Sequence, residues 1–289
     1  MSRVPKRLLF LAVSGLWAAL SALARALRRL AGVRGAPQVV LYYHAVAAAE
    51  RPRFARQMDA LRRQARPVAP ERLGTAGSRR EALVTFDDGL RSVLAHALPE
   101  LAARNIPCVI FVVAGAMGKT PGWGSYRQTD PATAAADAVA SAGELRAALG
   151  PLVTIGSHTV THARLTAIGA QSAHREIFSS RAQLETALGR PVTLLSFPYG
   201  AASDAVIAWC REAGYERLFA TAASAVGEST LVIRRVRVDP GDWLWEFYLK
   251  LWGGYDWLPL ALRCKRRLAA AAGWRRQPTP TAVSAETDF

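Results

Sequence analysis

L-V-T-F-D-D-G, residues 83–89, is the stretch on which the reading of the whole chain turns. An apolar run with a β-branched centre ends in two adjacent carboxylates and a glycine. Side chains alternate along a strand, so Asp87 and Asp88 begin on opposite faces. Gly89 permits the bend that brings both to one rim. Two like charges side by side at a buried strand end are costly unless a cation or a shared proton relieves them. The pattern therefore suits one aspartate on a metal and the other on a proton. The plainer alternative is a helix N-cap followed by a first-turn acid.

Outward from this stretch, strands and helices alternate. Apolar runs bounded by turn residues lie at 38–43, 82–86, 107–113, 152–156, 193–197, 217–221 and 231–238. Helical periodicity fills most of the gaps, at 51–65, 91–104, 142–149, 170–188 and 203–213. V-I-F-V-V (109–113) is apolar on both faces, as in a parallel sheet covered by helices. Repeated β-α units at this length predict a (β/α) barrel or a doubly wound sheet. Residues 114–141 break the rhythm with glycines and prolines and predict a long loop bordering the strand ends.

Two further motifs fall at predicted strand ends. T-I-G-S-H-T-V-T-H (154–162) places His158 and His162 four apart. On a helix that spacing puts both imidazoles on one face; the β-branched residues between them equally suit a tight loop. Two nitrogens plus a carboxylate oxygen from another strand make a three-ligand open metal site. L-L-S-F-P-Y-G (194–200) reads as a strand followed by a turn fixed by Pro198 and Gly200. Active sites of parallel α/β folds form where all three motifs lie, at the carboxyl ends of the strands.

The ends of the chain differ from its middle. The formal net charge is +15, concentrated in Arg3, Lys6, Arg7, Arg25, Arg28, Arg29 and Arg34 at one end. Arg263, Lys265, Arg266, Arg267, Arg275 and Arg276 carry it at the other. Neither aromatic-plus-basic RNA motifs nor zinc-finger spacing accompany this charge, so nucleic acid is not the expected partner. Three dispersed cysteines make a disulfide framework or a thiolate metal site improbable. An apolar run, Leu8 to Ala24, follows the first basic cluster. It admits a signal anchor, a cleaved signal or a peripheral amphipathic helix, and the expectation is membrane association through this segment. Residues 241–276 hold five of the eight tryptophans and predict a second amphipathic helix, either a second interfacial membrane element or a helix packing its aromatics on the barrel. The expected organisation is 1–35 hydrophobic and basic helix, 36–240 catalytic domain, 241–276 Trp-rich extension and 277–289 disordered tail.

T-F-D-D-G, S-H-T-V-T-H and F-P-Y-G, in this order, resemble the polysaccharide deacetylases of carbohydrate esterase family 4, the NodB-homology domain. The resemblance covers about residues 36–240 and implies a distorted (β/α)7 barrel. It also implies a hydrolase that removes acetyl groups from an N-acetylhexosamine polymer in exopolysaccharide or cell-envelope metabolism. A divalent metal is implied as cofactor, zinc foremost, with cobalt, nickel or iron as alternatives. By position, Asp87 matches the base, and Asp88, His158 and His162 match the metal ligands. Phe197, Pro198 and Tyr199 match the turn that borders the substrate and supplies an oxyanion donor. Two departures follow. The chain has no histidine after His174, where the family places its general acid, and Ser196 stands where the family has an arginine that orients the base. Arg235, Arg237 and Asp239 are candidate replacements for that arginine. Deacetylases of poly-N-acetylglucosamine are similar in a permuted arrangement, with the acid on a strand before T-F-D-D-G. L-Y-Y-H (41–44) and the following F-x-x-Q-M-x-x-L (54–61) match it, which makes His44 the candidate acid. A catalytically impaired polysaccharide-binding member and a metal-dependent O-acetyl esterase are the competing expectations.

Overall fold

The computed structural model describes residues 3–30, 37–75, 77–123, 137–221, 229, 231–258, 260–261 and 264. Eight parallel strands are present among them. They are β1 (Gln38–Tyr43), β2 (Arg66–Pro67), β3 (Glu81–Phe86), β4 (Cys108–Val112), β5 (Val153–Ser157), β6 (Leu194–Ser196), β7 (Arg217–Thr221) and β8 (Val232–Arg237). Strands β3 to β8 pair in sequence order, and β1 closes the ring by pairing with both β8 and β3. The result is a closed seven-stranded parallel barrel, as the resemblance implied, and not a doubly wound sheet. The two-residue β2 adds beside the amino end of β3, with Arg66 and Pro67 opposite Glu81 and Ala82. It is too short to leave a periodic signature in the sequence.

Helices cover the outside: α1 (Arg3–Leu30), α2 (Arg51–Gln64), α3 (Leu98–Ala103), α4 (Ala142–Ala148), α5 (Ala170–Leu188), α6 (Asp204–Glu212) and α7 (Leu244–Leu251). Ser141 and Glu144 form a capping box at the start of α4. Gly189, at φ 68°, ends α5. The helix expected over 91–104 is divided. Residues Val93–Ala97 form a π-turn before α3 begins. Pro99 explains the widening, because it lacks an N–H and crowds the carbonyl four residues back. The Trp-rich extension gives a shorter helix than expected, α7, followed by turns through Gly253 and Gly254. Most of its remainder, and the tail 277–289, lie outside the described residues.

Strand alternation sorts side chains into two layers. Leu41, Tyr43, Val84, Phe86, Ile110 and Val112 point outward into the main core beneath the helices. Val40, Leu83, Val109, Phe111, Leu194 and Phe219 fill the barrel interior. Gly156 leaves room for that interior packing: a Cβ there would meet the Phe111 ring at 2.6 Å. Further toward the carboxyl ends, the same inward rows continue as His44, Asp87, Ser196 and Arg235. The barrel's parity thus sets the first layer of the site.

Candidate active site

Strand β3 delivers the two carboxylates. Asp87 continues the inward row, and its N–H donates to the Tyr43 carbonyl at 2.9 Å. The chain then bends sharply. Asp88 itself adopts φ 71° and Gly89 φ 73°, so the reversal starts one residue earlier than glycine alone would require. A left-handed aspartate is unusual, and such conformations persist where surrounding structure over-determines them. Thr159, His162 and Tyr199 are left-handed too. Among the described residues, four of the five non-glycine residues with positive φ therefore lie in the three motifs.

His158 and His162 sit in a tight loop after β5, not on a helix. The loop is held from outside by Glu176, whose carboxylate accepts from the N–H groups of Val160 (2.8 Å) and Thr161 (2.9 Å). Ala114 and Gly115 donate to the carbonyls of Thr159 and Val160. His158 Nδ1 lies 2.8 Å from the Ser196 carbonyl, which fixes that nitrogen as the N–H and turns Nε2 inward as an acceptor. Nε2 of His158 stands 3.8 Å, and Nε2 of His162 3.5 Å, from Asp88 Oδ1. Burial lowers both imidazoles below the usual histidine range, so they are neutral near pH 7. A carboxylate oxygen and two imidazole nitrogens thus converge within 4.8 Å, all buried. Ligand atoms about 2.1 Å from a shared tetrahedral ion stand about 3.4 Å apart. The donor chemistry and the spacing fit a divalent cation.

Asp87 is held differently. Arg235 grips it as a fork, Nη1 to Oδ1 and Nη2 to Oδ2, each at 2.7 Å. The same guanidinium donates to Thr85 Oγ1 at 3.0 Å and Ser196 Oγ at 2.6 Å. It lies over the Tyr42 ring at 4.6 Å. Burial on its own would raise the Asp87 carboxyl. The opposing charge and hydrogen bonds of Arg235, aided by His158 and His44, outweigh it and hold the group well below the usual carboxylate range. The position before the Phe197 turn that lacks an arginine is therefore not empty of one. Ser196 is small, and Arg235 reaches across the barrel from β8 to bond both it and Asp87. Arg237, two residues further along β8, is exposed. The Asp239 carboxylate accepts from Gly241 N–H and shapes its own turn.

His44 follows β1, which pairs with β3 through Tyr43 opposite Phe86. The imidazole is half-buried, edge-on to Tyr42 with centroids 5.7 Å apart, and close enough to Asp87 for each to shift the other. Burial pushes it down to about 4, assisted by Arg237 and Arg235 and opposed by Asp87 and Asp239. The F-x-x-Q-M-x-x-L pattern is the inner face of α2: Phe54, Gln57, Met58 and Leu61 are all buried. Gln57 accepts from Tyr43 OH and donates to the Asp239 carbonyl, each at 2.9 Å, tying β1 to the end of β8.

The Phe197–Pro198–Tyr199 turn closes another side. The Tyr199 ring meets His162 edge-on at 4.8 Å, and Arg164 lies over its outer face at 4.4 Å. A Cβ at Gly200, φ 61°, would collide with Thr221 Oγ1.

Residues 75–218 match the family model for polysaccharide deacetylase. The chain belongs to the polysaccharide deacetylase family. The Bacillus subtilis protein YxkH, which carries the same family description, is 22% identical over 161 residues, 55% of this chain. The alignment spans 52% of YxkH, so the chain covers about half the length of that curated relative. Among solved structures, IcaB from Ammonifex degensii superposes with a TM-score of 0.62 at 25% identity, covering 76% of this chain and 98% of IcaB. A de-N-acetylase from Aggregatibacter actinomycetemcomitans gives 0.59 at 16% identity, covering 71% and 96%.

The deacetylase domain holds one further side chain that the sequence reading did not single out. Trp123, buried in the loop after β4, donates from Nε1 to Asp88 Oδ1 at 3.1 Å. Its ring stacks on His162 with centroids 5.0 Å apart and planes within 16°. The loop is tied down as Gly118 donates to the Val139 carbonyl and Val139 to the Lys119 carbonyl. Its only sequence signal was an aromatic residue, Pro121-Gly122-Trp123, inside the loop expected to border the strand ends.

Proposed function

We propose that this deacetylase domain is a metal-dependent N-deacetylase of an amino-sugar polymer, serving exopolysaccharide or cell-envelope metabolism. The observation that carries the proposal is the placement of an ionised, arginine-gripped Asp87 beside the converging ligand atoms of Asp88, His158 and His162. An acetamide is a weak electrophile with a poor leaving group. A divalent cation, when bound, would acidify a water ligand and polarise the acetyl carbonyl.

The chain's own residues supply the remainder. Asp87 stays ionised across the working pH range and accepts the proton of the attacking water. Arg235 keeps both carboxylate oxygens fixed, so the base cannot rotate away. Tyr199 and the turn around it wall the acetyl group against His162 and favour charge developing on its oxygen. The departing amine needs a proton, because an amide anion is not a viable leaving group near neutral pH. His44 is the donor; neutral at rest, it takes up a proton from solvent as negative charge building on the acetyl oxygen raises its imidazole, passes that proton to the amine, and returns to the neutral form while Asp87 later gives its proton back to solvent. Arg235 also supplies the guanidinium whose absence from position 196 motivated the impaired-enzyme reading, so catalysis is favoured over mere binding.

Acetate release from N-acetylglucosamine oligomers, with and without chelator, tests the proposal. Asp87→Asn is expected to bind metal as the parent does and to turn over at a small fraction of its rate. Full activity in that variant would remove Asp87 as base. Release from O-acetylated but not N-acetylated oligomers would favour an esterase instead.

A further inference from the structure

We propose that α1 is an interfacial helix that seats the protein on an anionic lipid surface without crossing it. Leu9, Val13, Leu16, Leu20, Leu23 and Leu27 recur at alternating spacings of four and three along Arg3–Leu30, and each is between 39% and 65% exposed. Over these residues the stripe is about 27 Å long. The opposite face is the one that docks. Ser14 and Ala18 are buried. Ser14 Oγ accepts from Trp257 Nε1 at 3.1 Å, and Phe10 packs on the Trp257 ring at 5.5 Å. Gly254 allows this close approach, since a Cβ there would stand 2.9 Å from the Ser14 carbonyl. One face holds α1 to the protein, and the leucines are left facing outward.

No helix among the described residues is long and apolar enough to span a membrane. Leu8 to Ala24 reaches only about 26 Å as a helix, short of a core of about 30 Å. The spanning form of the N-terminal expectation does not fit this length; of the other two forms, a cleaved signal and a peripheral amphipathic helix, the docked face suits the second. Charge decides between lipid and a second copy of the chain. Residues 3–30 include Arg3, Lys6, Arg7, Arg25, Arg28 and Arg29 and no Asp or Glu. Two such helices paired along their leucines would bring like charges together with no acid to relieve them. An anionic headgroup layer relieves that charge while the leucines enter the acyl boundary. A second element independently shows apolar surface of the interfacial kind. Trp243, Leu244 and Trp245, at the start of α7, are exposed. Tryptophan favours the headgroup level, and α7 is the helix against which α1 packs.

The test is sedimentation of the full chain with vesicles of phosphatidylcholine alone or containing about 30% phosphatidylglycerol. Binding is expected to be at least about tenfold tighter to the anionic vesicles and to weaken at about 0.5 M salt. The triple variant Leu16→Glu, Leu20→Glu, Leu23→Glu is expected to stay in the supernatant with unchanged near-ultraviolet circular dichroism and unchanged turnover of soluble oligomers. Those leucines touch nothing in the site, so failure of the deacetylase proposal would leave this result intact. Equal binding by parent and triple variant would overturn the inference. So would absence of vesicle binding, and so would a dimer in sedimentation equilibrium that the glutamates dissociate.

Discussion

Replacing Arg235 by Met removes the guanidinium and keeps much of its apolar bulk over Tyr42. In the parent, both partners of the Asp87–Arg235 pair are almost wholly buried, with side-chain exposures of 5% and 0%. Breaking a buried pair from one side leaves a charge without compensation and costs about 3–5 kcal/mol. The pH dependence has a definite sign. In the parent, the folded Asp87 carboxyl lies below its unfolded value. The pair therefore contributes stability above about pH 4 that is lost as pH falls further. In the variant, burial dominates and the folded carboxyl rises above its unfolded value. The penalty is then greatest at neutral and alkaline pH and shrinks as acid neutralises the group. Urea unfolding of the metal-free protein at pH 5 and pH 8 reads both quantities. Arg235→Met should lose more stability at pH 8. Asp87→Asn combined with Arg235→Met should recover about 1–3 kcal/mol relative to additive single effects. Turnover should fall about 10²- to 10⁴-fold in Arg235→Met, the range for a misplaced or protonated base. A small, pH-independent loss with strictly additive single changes would refute the idea that Arg235 governs Asp87.

Zinc should raise the melting temperature of the chelated parent by several degrees, since saturation at about 100 times the dissociation constant stabilises by about 2.7 kcal/mol. Asp88→Ala should abolish that shift while the fold survives; an undiminished shift would place the metal elsewhere. Trp123→Phe preserves the stack on His162 and deletes the N–H to Asp88. Loss of such a supporting hydrogen bond should weaken metal affinity about 10- to 100-fold, measured by competition with a chromophoric chelator, and unchanged affinity would reduce Trp123 to a wall.

The seven principal strands were legible because each is a short apolar run between turn residues, and parallel sheets leave that signature on both faces. Asp87, Asp88, His158 and His162 were legible as chemistry because unrelieved charge and imidazole at strand ends have few other physical uses. Local sequence could not choose between helix and loop for His158 and His162. The left-handed Thr159 and the grip of Glu176, which decide for the loop, are a conformation and a contact made only in the folded chain. The guanidinium on Asp87 was open between Arg235 and Arg237, with Asp239 a further candidate for tuning the base, since all three lie close together at the end of one strand. Closure of the barrel resolved it: the inward row of β8 carries Arg235 to Asp87 and Ser196, and Arg237, two residues further along the same row, lies at the exposed rim. Trp123 had no periodic or motif signal, because its place beside Asp88 depends on where a loop returns. L-V-T-F-D-D-G by itself thus determined that two carboxylates sit at a strand end. Which of them faces an arginine and which faces two imidazoles was decided by the closed ring of strands, which alone brings residues 44, 87, 158, 196 and 235 to one end of one barrel.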